Sequence, residues 1–112
     1  MLKVSHKQLI DNALAEIETL EIEDAENFLE DDDAMFVDLR DPRELEREGK
    51  IPNAFHAPRG MLEFWVDPIS PYHKEAFASG KRIIFYCQSG WRSALATKAV
   101  QDMGLERVCH IG

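Results

Sequence analysis

The chain is poor in the features that mark secreted, membrane-spanning or metal-binding proteins. It has two cysteines in 112 residues, Cys87 and Cys109, too few for a disulfide framework. Its longest strongly apolar run is about five residues, against the roughly 20 that a membrane-spanning helix needs. The first residues also lack the continuous apolar block of a signal peptide. We therefore expect a cytoplasmic domain with reduced thiols and no membrane partner.

Histidines are equally sparse. The four in the chain are His6, His56, His73 and His110, and none of them stands at the spacing of a metal-ligand set. Cys109 next to His110 adds too few ligands to change this picture. We predict neither a metal ion nor another cofactor.

Positive charge is missing from the N-terminal third. Residues 8–39 contain twelve acidic side chains and no lysine or arginine, so the net charge of −8 belongs to this segment. A nucleic-acid backbone would meet repulsion and no basic stripe, and we predict no nucleic-acid partner. The acidic segment is either an ordinary solvated surface or a docking face for a basic protein partner.

Short strand patterns alternate with helical ones along the rest of the chain. The length suits one domain with a single core, and the alternation predicts an α/β fold with a parallel sheet. The predicted strands are "TLEI", "AMFVDLR", "IPNAFHAP", "KRIIFYC" and "ERVCHI".

Helices are predicted between these strands. Ser5 and Gln8 are spaced as a capping box at the start of the first helix. Pro42 stands near the start of the third helix and Gly49 at its end. Four of the predicted helices are "SHKQLIDNALAEIE", "DAENFLE", "DPRELEREG" and "SALATKAVQDMG". The stretch "GMLEFWVDPISPYHKEAFASG" is predicted to begin as a helix and, after turn-forming residues, to contain a second short helix.

The stretch "IIFYCQSGWRS", residues 83–93, places Cys87 where a buried strand ends and a helix begins near Ser93. Sites in open parallel sheets form beyond the carboxyl ends of the strands. Unpaired amides at the helix start, and a loop bent by Gly90, make a concave nest that stabilises a thiolate. Arg92 adds a fixed positive charge and a planar donor fork. The pattern indicates a sulfur nucleophile without a histidine base; the alternative is an ordinary turn with an incidental cysteine.

"CQSGWRS" resembles the active-site loop of the rhodanese-like sulfurtransferases, in which cysteine is followed by two residues, glycine, one residue, arginine and serine. "FVDLRDPREL", "GKIPNAFHAP" and "VCHIG" resemble three further family segments in the same order. The resemblance covers residues 19–112 and implies a three-layer α/β fold, with a central parallel sheet of about five strands flanked by helices. Residues 1–18 would be an N-terminal helical extension. We expect the domain to lack the family's closing C-terminal helix.

The resemblance also implies a mechanism and a set of site residues. Cys87 would take the outer sulfur of a small anionic donor such as thiosulfate, become a persulfide, and pass the sulfur to cyanide, a thiol or a protein acceptor. Asp38 and Arg40 would support the loop through polar contacts. The substrate-binding residues implied are Gln88, Ser89, Gly90, Trp91, Arg92 and Ser93.

The chain departs from the family pattern in this loop and in the segment "GKIPNAFHAP". Gln88 stands where relatives often have a basic residue, which removes one positive charge from the rim of the site. Lys50 stands where histidine is usual, and Asn53 where glycine is usual.

Two other functions share the chemistry of a thiolate in a nest of amides. One is a persulfide carrier or interaction module that docks through the acidic N-terminal third. The other is a cysteine phosphatase or arsenate reductase, for which the related phosphatases place five residues between cysteine and arginine. Here four residues separate Cys87 from Arg92, which favours sulfur over a phosphoryl group. Cys109 is predicted to pack in the last strand, with a resolving-thiol role as the alternative.

Overall fold

The computed structural model describes residues 1–112, and its centre is a sheet of five parallel strands. The spatial order of the strands is β1-β5-β4-β2-β3, and every neighbouring pair is parallel. Strand β4 lies in the middle because its apolar side chains are covered on both faces of the sheet. The predicted fold class is confirmed. The strands are β1 (Thr19–Leu20), β2 (Ala34–Asp38), β3 (Phe55–His56), β4 (Arg82–Tyr86) and β5 (Val108–Ile111).

Helices cover both faces of the sheet. Helix α1 lies within the extension predicted over residues 1–18 and packs against α5, burying Ile10 and Ala13. None of the helices is long and apolar enough to cross a membrane. The helices are α1 (His6–Glu16), α2 (Ile22–Glu26), α3 (Pro42–Glu48), α4 (Leu62–Val66) and α5 (Trp91–Asp102), with short 3₁₀ turns at Arg59–Met61 and Glu75–Ala78.

Alternate residues of β4 point into two separate apolar clusters, as the period of a strand requires. Ile83 and Phe85 join a large cluster beneath α4 and α5. Ile84 and Tyr86 join a smaller one on the opposite face, which also contains Cys109. The two clusters and the sheet between them form the three layers.

The predicted capping box of α1 is only half formed. Ser5 accepts a hydrogen bond from the Gln8 amide at 3.1 Å, as expected for an N-cap. The Gln8 side chain does not return to the backbone of Ser5. It donates instead to Asn12 at 2.8 Å, one helical turn further along.

Helix α3 has both ends that its sequence predicts. Pro42 occupies its first position, and Gly49 ends it with a φ of 75° that favours glycine. A complete capping box forms there between Asp41 and Glu44, which the sequence reading did not single out. This box fixes the start of α3, and the same Glu44 carboxylate also reaches the candidate site.

Candidate active site

The parallel register brings three functional segments to one edge of the sheet. Cys87 follows Tyr86, the last residue of β4, and Tyr86 is paired with Asp38 at the end of β2. His110 is paired with Phe85 from the other side, near the end of β5. Cys87 therefore lies at the carboxyl edge of the sheet between two polar strand ends, where open α/β sheets place their sites.

The loop after Cys87 turns sharply into α5. Gly90 adopts a φ of 85°, and the helix begins at Trp91, two residues before the predicted start near Ser93. Since the turn occurs early, the Ser93 amide lies in the first turn of the helix and donates a hydrogen bond to Cys87 Sγ at 3.3 Å. This bond places the sulfur at the positive end of the α5 dipole.

The other predicted loop residues differ in exposure. Ser93 is fully buried and Gly90 is buried, whereas Gln88 and Ser89 face solvent. Trp91 is 55% exposed, and its ring lies 5.3 Å from the ring of His6 on α1. One loop amide, that of Ser93, bonds to the thiol. The wider nest over residues 88–93 stays a prediction.

Arg92 points its fork at a carboxylate. Its two terminal nitrogens donate to the two Glu44 oxygens at 2.8 and 2.9 Å, a bidentate ion pair between α5 and α3. This hydrogen bonding lowers the pKa of Glu44 to about 2, so the pair stays charged at any physiological pH. The charge of Arg92 is thus balanced within the protein. Its predicted role in holding a donor stays untested.

Asp38 and Arg40 form a buried ion pair beneath the site. Arg40 Nη2 donates to Asp38 Oδ2 at 2.8 Å, and the Arg40 amide donates to Oδ1 at 2.9 Å. Burial acts to raise the pKa of Asp38, but the hydrogen bonds from Arg40 outweigh it and lower that pKa. Arg40 Nη2 also donates to the Gly49 carbonyl at 2.7 Å. The pair therefore joins the end of β2 to the segment that follows α3.

His110 belongs to the same region, although the sequence reading treated it as one of several scattered histidines. It is buried, with Nδ1 2.8 Å from Ser93 Oγ and Nε2 2.9 Å from Thr19 Oγ1. Burial lowers its pKa and favours the neutral ring. One signal was available. Val108 and His110 share a face of β5, so a histidine there must find hydrogen-bond partners under α5.

We expect replacement of His110 by phenylalanine to loosen the loop around Cys87. Phenylalanine keeps an aromatic ring in the strand, but the buried Ser93 hydroxyl loses one of its two partners and retains only the Gly90 carbonyl, at a cost of about 1–3 kcal/mol. Urea unfolding should show that loss, and amide exchange at Ser93 should accelerate. An unchanged unfolding free energy together with unchanged exchange would contradict this role.

Cys109 packs in the core, as predicted. It is fully buried, and burial raises its pKa to about 11. Its partner in the sheet is Ile84, so Cys87 lies three residues further along the neighbouring strand, roughly 10 Å away. A disulfide needs Cα atoms within about 7 Å. The resolving-thiol alternative would therefore require the sheet to deform.

Cys87 opens into a groove of about 410 Å³ beside the end of α3. The groove runs between the end of β4 and the segment 48–52, and it is large enough for a small anion or the tip of a peptide side chain. Its other lining residues are Arg40, Glu48, Gly49, Lys50, Ile51, Pro52 and Tyr86.

This architecture, with a cysteine-led loop at the carboxyl end of the central strand, is that of a rhodanese-like domain. Residues 21–111 match the family model of the rhodanese-like domain, so the chain belongs to the rhodanese-like family. The resemblance noted in the sequence is confirmed at the level of the family.

Solved structures show similar folds. A Rhodopseudomonas palustris protein of unknown function, described as a possible tyrosine phosphatase, is 50% identical in sequence and superposes with a TM-score of 0.95. The match covers 99% of this chain and 86% of the Rhodopseudomonas palustris chain. A polysulfide-sulfur transferase homodimer from Wolinella succinogenes is 27% identical with a TM-score of 0.67, covering 94% of this chain and 74% of its own.

A curated relative is larger. The tRNA uridine(34) hydroxylase of Cronobacter sakazakii is 31% identical over 98 residues, which cover 84% of this chain and 26% of the hydroxylase. The chain therefore spans about a quarter of that relative's length.

Proposed function

We propose that this protein is a sulfurtransferase that carries sulfane sulfur on Cys87. The observation that carries the proposal is the Ser93 N–H···Sγ bond of 3.3 Å, which sets a half-buried thiol at the start of α5. An amide donor and a helix N-terminus both interact favourably with a negative charge carried on sulfur. A persulfide anion on Cys87 would be stabilised by the same amide and helix N-terminus.

The reaction balances in two steps with no other reactant. The Cys87 thiolate attacks the outer sulfur of thiosulfate; the S–S bond of the donor breaks, and sulfite leaves with the electron pair. An acceptor, cyanide or a thiolate, then attacks the outer sulfur of the persulfide and leaves with it. The Cys87 thiolate is regenerated. Both thiols of the chain are free, in keeping with the reducing cytoplasm that we propose as its location.

The geometry supports an enzyme over a carrier that docks through the acidic residues 30–33. That turn precedes β2, whereas Cys87 follows β4, which runs parallel to β2. The turn therefore lies at the amino ends of the strands and Cys87 at their carboxyl ends. Strands of five residues separate the two by roughly 17 Å. Asp33 is also paired with Arg107 at 2.8 Å. A basic partner bound at this turn would have to extend along the full length of the strands to contact the thiol.

A second candidate, a cysteine phosphatase, is suggested by the description of the Rhodopseudomonas palustris relative as a possible tyrosine phosphatase. Four residues between Cys87 and Arg92 give a smaller cradle than the five of the related phosphatases. The Arg92 fork, which a phosphatase would direct at the phosphoryl oxygens, is engaged by Glu44. Both features favour a sulfur atom as cargo.

Intact mass spectrometry tests the proposal. After incubation with thiosulfate or polysulfide, the protein should gain one sulfur atom, and a thiol or cyanide should remove it. Hydrolysis of an aryl phosphate should stay at background. Absence of sulfur uptake from both donors, or aryl phosphate turnover that depends on Cys87, would overturn the assignment.

A further inference from the structure

An anionic donor at Cys87 needs a cation that is not already neutralised. The cation that the loop motif points to, Arg92, is held by both oxygens of Glu44. Gln88 contributes no charge. The one side-chain cation of the loop is therefore already neutralised by a carboxylate.

Arg40 is equally engaged. Its guanidinium binds the buried Asp38 carboxylate, donates to the Gly49 carbonyl and lies 3.7 Å from Glu48. Its side chain is only 8% exposed. Two carboxylates share this one cation, so the Arg40 cluster also attracts no anion.

Lys50 is different. It lines the same groove as Cys87, its side chain is exposed, and it forms no ion pair within 4.0 Å. The chain on both sides of it is anchored: Arg40 binds the Gly49 carbonyl at 2.7 Å, and the Ile51 amide donates to Tyr86 Oη at 3.3 Å. The backbone of Lys50 is thus fixed at the groove, while its ammonium group is free to meet a ligand.

We propose that Lys50 is the specificity-determining residue that selects small anionic sulfur donors for Cys87. This rests on the proposed function, in which Cys87 is the thiol that accepts the sulfur. The ammonium group would contact the charged end of the donor, such as the sulfonate oxygens of thiosulfate, while the thiolate attacks the outer sulfur. Relatives often have a basic residue in place of Gln88, and here Lys50, in the segment after α3, supplies that positive charge instead.

Paired alkylating reagents test this independently of sulfur transfer. The Cys87 thiolate displaces iodide from iodoacetate and from iodoacetamide by the same reaction, and the two reagents differ in one negative charge. Lys50→Gln should lower the ratio of the iodoacetate rate to the iodoacetamide rate by about three- to fivefold, the effect of one nearby charge in water. Lys50→Arg should restore the ratio. Peptide mass spectrometry would follow the modification at Cys87.

Lys81→Gln is the matched control. Lys81 is an exposed lysine that precedes β4, whereas Cys87 follows it, so the two lie at opposite ends of one strand. This variant should leave the ratio unchanged.

With thiosulfate as the donor, Lys50→Gln should lower kcat/KM by a similar factor, mainly by raising KM.

The two proposals fail in different ways. If the wild type takes up no sulfur while Lys50→Gln still lowers the alkylation ratio, the sulfurtransferase assignment is wrong and the anion site stands. An unchanged ratio in Lys50→Gln would overturn the role of Lys50. So would a loss of iodoacetate preference confined to the charge-neutral double variant Glu44→Gln/Arg92→Gln, because Arg92 would then be the selecting cation.

Discussion

Replacement of Cys87 by serine should abolish sulfur uptake while leaving the fold intact. A serine hydroxyl is not ionised at neutral pH and cannot carry a persulfide, so transfer should fall by at least about a thousandfold. The Ser93 amide would retain an acceptor in the serine oxygen, so we expect little change in stability. Persulfide mass and thiocyanate formation from thiosulfate and cyanide would measure the loss.

Cys109→Ala is the matched control for this variant. Cys109 is buried, with a pKa raised to about 11, and takes no part in the proposed reaction. Its removal should leave sulfur uptake unchanged and cost some stability through a small cavity. Sulfur found on Cys109, or uptake by Cys87→Ser, would show that the reactive thiol has been misassigned.

The position of the thiol could be predicted because it depends on local sequence. An apolar run followed by a glycine-containing polar loop and a helix places a cysteine at a strand end in any parallel sheet. The start of α5 was less predictable. Trp91 and Arg92 are compatible with either loop or helix, and the left-handed φ of Gly90 decided the boundary.

The contacts of Arg92 could not be predicted in the same way. Its partner Glu44 is 48 positions away in the sequence. The two side chains meet because α3, which follows β2, brings Glu44 within 2.8 Å of the start of α5. The family resemblance implies that Arg92 binds an anionic donor, and the sequence alone does not reveal that Glu44 is its partner. The groove cation Lys50 was noted only as a departure from the family pattern, because its approach to Cys87 depends on the anchors at Gly49 and Ile51.

Replacement of Arg40 by methionine should be among the most destabilising single changes in the chain. Methionine keeps much of the volume but leaves the Asp38 carboxylate, which is fully buried, without a counter-ion. Breaking a buried pair on one side costs about 3–5 kcal/mol. Urea unfolding at neutral pH should show a loss of that size, and the segment at Gly49 should become more mobile in amide exchange.

The pH dependence of this loss distinguishes an unpaired carboxylate from a simple packing defect. In the wild type the pKa of Asp38 is lowered on folding, so its contribution to stability is present above the unfolded pKa and is lost as pH falls. In Arg40→Met burial should raise that pKa above its unfolded value, so the variant regains stability as the carboxylate takes up a proton. The difference in unfolding free energy between the wild type and Arg40→Met should therefore narrow towards acidic pH.

The double variant Asp38→Asn/Arg40→Met should recover part of the loss at neutral pH, because no buried charge remains. A loss that is independent of pH and persists in full in the double variant would mean that Arg40 acts through packing alone.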